Sequence, residues 1–112
     1  MFPPTDFHTA THVGPWIYVI GSLGYQGTRR PGETPVFRLH VDSLRMERLE
    51  PSGECPGWIY RHRAVLEGDR AIRLHGGTIV TMTDGRELHE PNTGTFVLDL
   101  DRLIWRRDSS IP

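Results

Sequence analysis

The sequence has no lysine: all 13 of its basic residues are arginine, set against 14 acidic ones for a formal net charge of -1. That balance argues against a nucleic-acid groove or an acidic membrane surface as partner. Cysteine is almost absent too. The single Cys55 excludes an internal disulfide and fits a reducing compartment, so a cytoplasmic location is expected. No apolar run approaches the roughly 18 residues of a helical membrane span; the longest candidate is Trp16–Ile20. The opening MFPPTDFH carries neither a positive region nor an apolar core, and no signal peptide is expected. Apolar spacing at three and four residues is also missing. The one helix-like stretch, Leu39–Leu49, also fits two strands, which its β-branched and alternating character favours. No GxSxG, phosphate loop, HExxH or dinucleotide fingerprint occurs, so neither a cofactor nor a recognisable catalytic motif is read from the chain.

What remains is a small domain rich in β signals. Hydrophobic residues make up 37% and charged residues 24% of 112 residues, the balance of a globular chain with a modest core. Period-two alternation predicts strands at His8–Val13, Pro35–Asp42, Leu44–Leu49, Arg61–Leu66, Arg70–His75, Thr95–Asp101 and Leu103–Arg107. Trp16–Ile20, aromatic and β-branched, reads as a strand buried on both faces. Turn residues separate them: Gly14-Pro15, Asp42-Ser43 and Glu67-Gly68-Asp69. Two stretches read as breaker-rich links, 23–34 and 50–57. Thr78–Thr83 and Arg86–Glu90 flank Asp84-Gly85, the signature of a tight hairpin. The expectation is one all-β unit over residues 1–112.

The strands repeat. His62 and Ala64 follow His8 and Ala10 by 54 positions, and Gly76 follows Gly21 by 55. Leu98, Asp101 and Trp105 follow Leu39, Asp42 and Met46 by 59. The offset rises only across loops, so the strands stay in register. Each copy holds four strands, at about 8–53 and about 58–108. A period near 50 residues with four strands per unit is the pattern of a β-propeller blade.

The second copy has an apolar strand ending in Gly76-Gly77, then Leu98, then Trp105 seven residues later; the first has Gly21-Ser22, Leu39 and Met46. In these features the chain resembles two divergent blades of the Kelch-repeat family, of bacterial type. It departs at Ser22 and Met46, where the family has glycine and tryptophan, and both copies carry leucine at the aromatic position. The resemblance implies two four-stranded antiparallel blades. It also implies glycines where strands crowd the propeller axis, and a tryptophan between neighbouring blades. Two blades are fewer than a propeller needs. A partial propeller completed by missing blades, or a ring closed by self-association, is therefore expected. A small β-sandwich or barrel is the structural alternative.

Candidate chemistry is sparse. Tyr25, Arg29 and Arg30 lie in the long first link, where propellers bind protein partners through loops. Arg61 and Arg63 fall on one face if the strand alternates from residue 61, and their guanidinium forks suit a carboxylate or phosphate. His8, His12 and His62 form a weak alternative as metal ligands, because strand residues four apart sit roughly 13 Å from each other. Asp42 and Asp101 read as turn-capping carboxylates. The functional expectation is a non-enzymatic protein-interaction module with the 25–34 and 78–94 loops as its variable surface. The alternative is part of a Kelch-propeller enzyme acting on a sugar or small anionic substrate, as in galactose oxidase-like oxidases and sugar epimerases.

Overall fold

The computed structural model describes residues 8–21 and 29–108. Among them it has strands and no helix. The first four strands are β1 (Thr9–Val13), β2 (Trp16–Ile20), β3 (Val36–His40) and β4 (Met46–Leu49). They form one antiparallel sheet in chain order, with short turns at β1–β2 and β3–β4 and the long first link between β2 and β3. A two-residue β5 (Ser52–Gly53) and a three-residue β6 (Trp58–Tyr60) follow.

The second set is β7 (Arg63–Glu67), β8 (Ala71–His75), β11 (Thr95–Asp99) and β12 (Ile104–Asp108), again antiparallel in chain order. Between β8 and β11 the chain inserts the hairpin β9 (Thr78–Thr83) and β10 (Arg86–Pro91). Its turn residues Asp84 and Gly85 both have positive φ, 50° and 77°, as a two-residue turn matched to strand twist requires.

Strand starts and left-handed residues recur at regular offsets along the chain. Thr9 and Arg63 open β1 and β7, 54 positions apart; Trp16 and Ala71 open β2 and β8, 55 apart; Val36 and Thr95 open β3 and β11, 59 apart. Left-handed residues recur at the same shifts: Gly14 with Gly68, Gly21 with Gly76, Leu44 with Leu103.

The register decides which faces are buried. In the first sheet, Tyr18, Ile20 and Val36 share a face, with half-buried Val13, Trp16 and Leu49 around them. In the second, Ile72 lies opposite Leu98 and Leu98 opposite Trp105, while Leu74 lies opposite Phe96. These residues of both sheets make one core cluster, so the two meanders pack face to face. Trp105, 2% exposed, belongs to it. The far face of the second sheet is finished with charge: Arg73 bonds Glu67 at 2.5 Å and also Asp108.

Several boundaries differ from the alternation. β4 begins at Met46, because Leu44 has φ of 58° and closes the turn. Trp16–Ile20 is fully buried only over Tyr18–Ile20. The links contain structure that composition did not announce. Ser52–Gly53 pairs parallel with β12, and Trp58–Tyr60 joins β9 and β10 in a third sheet ordered β10-β9-β6. The capping carboxylate is Asp99, whose Oδ1 accepts the backbone N–H groups of Asp101 and Arg102 at 2.9 and 3.0 Å. Asp42 and Asp101 lie within their turns instead. No helix among the described residues is long and apolar enough to cross a membrane.

Candidate functional site

The third sheet gathers polar groups from three distant parts of the chain. Cross-strand register places His89 opposite Val80 and Val80 opposite Trp58, so all three share a face. Period-two alternation adds Tyr60 beside Trp58 and Glu87 beside His89. The result is a chain of contacts. The Tyr60 hydroxyl lies 2.8 Å from His89 Nδ1, with the rings edge to face at 5.8 Å. His89 Nε2 lies 3.3 Å from Glu87 Oε1. The same carboxylate oxygen accepts from the Arg29 guanidinium at 2.6 Å. One tautomer serves every bond: Nδ1 accepts the tyrosine O–H, and Nε2–H donates to the carboxylate.

Burial raises the weight of this chain. The Arg29 and Glu87 side chains are about 15% exposed, far from the fully solvated pairs that contribute little. Asn92 fixes the base of the hairpin. Its side-chain amide donates to the carbonyls of Gly76 and Gly94, and its own N–H reaches the Gly77 carbonyl. On the first link, the Thr34 hydroxyl donates to the Gly57 carbonyl and accepts the Gly57 N–H. Hairpin and first link are thus both anchored around the 57–60 segment. Their outer groups, Glu87 and Arg29, then meet.

A second polar group is buried where the meanders meet. His62 is 5% exposed, its Nε2 lies 3.0 Å from the Thr9 hydroxyl, and its Nδ1 has no partner. Desolvation pushes its pKa down to about 4, the Ile20 carbonyl opposing and the nearby His8 adding a little. Two glycines make room for this segment. A Cβ on Gly21 would lie 2.3 Å from His62 Cε1 and 2.7 Å from the Ile59 carbonyl oxygen. A Cβ on Gly77 would lie 2.6 Å from the Tyr60 carbonyl oxygen and 2.8 Å from His62 Cα. Gly76 has nothing nearby.

Of the residues singled out by sequence, Arg29 is tied into the contact chain and Arg30 is exposed beside it. Tyr25 lies outside the described residues. Arg61 and Arg63 are both exposed, but Arg61 has φ of 58° and precedes β7, so strand alternation does not place the two on one face. His12 is exposed on β1 and His8 just before it, whereas His62 is enclosed. Among the described residues no three His, Cys, Asp or Glu side chains are grouped closely enough to hold a metal ion. Tyr60, Glu87 and His89 were not expected as partners. Their only sequence signal is the hairpin at Asp84-Gly85, which puts Glu87 and His89 on one face of a return strand.

No protein-family model matches the chain, and no curated protein matches it.

Proposed function

We propose that the chain is a pair of Kelch-type blades acting as a non-enzymatic protein-interaction module, completed by self-association or by further blades. The surface for a protein partner is the β9–β10 hairpin together with the Arg29 segment. The observation that carries this reading is the 2.6 Å Arg29–Glu87 pair. It joins the described end of the first link to the β9–β10 hairpin. Three further features support it: two four-stranded meanders at matching offsets, glycines under close approach, and a buried Trp105 between sheets. The hairpin also presents Met82, 50% exposed, on the face that carries Glu87, and Leu88, 39% exposed, on its other face, apolar groups that a partner gripping the hairpin would cover.

The test is quantitative capture with a hairpin control. Wild-type protein and the double variant M82E/L88E are cross-linked in cell extract, and the captured proteins are compared. The expected result is a protein enriched by the wild type and lost with the variant, with unchanged circular dichroism. Equal capture by both, or capture by neither, overturns the hairpin as the contact surface.

A further inference from the structure

One cavity lies away from the hairpin, at the end of the first meander. It is open, about 480 Å³, and lined by Trp16, His40, Ser43, Arg45, Met46 and Glu47. The register explains the grouping. Trp16 on β2 lies opposite His40 on β3, and their rings meet edge to face at 5.0 Å. Arg38 lies opposite Glu47 and is bonded to it, with its guanidinium 3.8 Å over the Trp16 ring. The turn 41–45 carries Ser43 and Arg45 to the rim.

The polar groups here are unequally satisfied. Glu47 has its charge matched by Arg38. His40 Nδ1 accepts the Ser43 backbone N–H at 3.3 Å, with the Ser43 hydroxyl 3.2 Å away. A proton therefore sits on Nε2, leaving a donor with no protein acceptor among the described residues. The Arg45 guanidinium is exposed and makes no ion pair among the described residues. Asp42, in the same turn, does not line the cavity. The cavity thus offers one unmatched positive charge and one imidazole N–H beside the apolar surfaces of Trp16 and Met46.

The second repeat gives an internal comparison. At the shifts of the strand repeat, Trp16 corresponds to Ala71, His40 to Asp99 and Arg45 to Ile104. There Asp99 takes both turn N–H groups itself, at 2.9 and 3.0 Å. A carboxylate is the ordinary group for that task. In the first repeat the same backbone turn is built with a cation, an imidazole and an indole in place of isoleucine, carboxylate and alanine. The turn does not require these three identities, since the copy with Ala71, Asp99 and Ile104 also makes it, with Leu44 and Leu103 both left-handed.

We propose that this cavity is a binding site for a small carboxylate carrying an apolar or aromatic body. The carboxylate meets Arg45 and His40 Nε2–H, in charge-assisted bonds. The body lies against Trp16 and Met46. The site is independent of the hairpin surface, and each stands or falls without the other.

Benzoate is the probe, followed by amide and indole NMR shifts of the full chain. The expected result is saturable shifts at the Trp16 indole and across the 40–47 segment. Arg45→Glu should weaken binding by roughly tenfold or more, the factor for losing one charge-assisted bond. Arg106→Glu, at another exposed arginine, should leave it unchanged, and benzyl alcohol should not saturate. Shifts that rise linearly, spread over the surface, or persist in Arg45→Glu would overturn the proposal. Arg45→Gln supplies a second variant if the glutamate disturbs the turn, and undiminished affinity there counts equally against it.

Discussion

At the scale of single residues, the glycines separate into two kinds. Gly21 and Gly76 are equivalent in sequence and both left-handed, with φ of 82° and 70°. Only Gly21 is also pressed against other backbone and the His62 ring. Gly76→Ala should therefore cost about 1 kcal/mol, the strain of the left-handed region alone. Gly21→Ala should cost about 2–4 kcal/mol, because an overpacking term adds to that strain. Urea unfolding of both variants measures the difference, and equal losses would show that the junction yields without strain.

His62 makes a second prediction at this scale. Its pKa in the folded protein, about 4, lies below the 6.5 of a free imidazole. Between those values the unfolded chain binds more protons, so stability rises with pH. The contribution is fully present above pH 6.5 and lost as pH falls toward 4, by roughly 3 kcal/mol over the window. The His62→Asn variant should lack this part of the dependence. The two proteins differ only at this side chain, so the difference between their stability curves from pH 7 to pH 4 reports on the histidine. Parallel curves would mean that water or a shifted ring relieves the charge.

At the scale of elements, the question is how the inserted hairpin is held. Three residues of β6 pair with β9, a short ladder for an arm of this length. The contact chain through Tyr60, His89, Glu87 and Arg29 adds a side-chain tie across 58 positions of sequence. A double-mutant cycle of Arg29→Gln and Glu87→Gln should give a coupling of about 1–2 kcal/mol, above the range of exposed pairs. Coupling near zero would assign the hairpin's position to β6 and Asn92 alone.

At the scale of the molecule, the two meanders share one core, and the outer face of the second is closed by the Glu67–Arg73–Asp108 cluster. A pair of blades completed by self-association should be larger than the 12.8 kDa of one chain at micromolar concentration. Light scattering or sedimentation gives the mass directly. A monomer over that range would remove ring closure by identical copies and leave either completion by other blades or a self-sufficient sandwich of the two meanders.

The strands were legible because alternation and turn chemistry act locally. Asp84-Gly85 specifies its hairpin through the positive φ of two adjacent residues, and the offsets of 54 for His8 with His62 and 59 for Leu39 with Leu98 carry the repeat without any knowledge of contacts. Face-to-face burial follows from the same alternation once register is fixed. The pairing of β6 with β9, the parallel β5, and the turn cap moving from Asp101 to Asp99 were not legible. Each depends on which segments become neighbours after the sheets pack, and short segments such as Ser52–Gly53 carry too few residues to show a period. The same holds for function. Arg29 was legible as a loop arginine, but its carboxylate partner was set by the fold. The lining of the 480 Å³ cavity was set by β2–β3 register, which brings Trp16 and His40 together from separate strands. Local stereochemistry determined the strands; long-range packing alone decided which side chains meet.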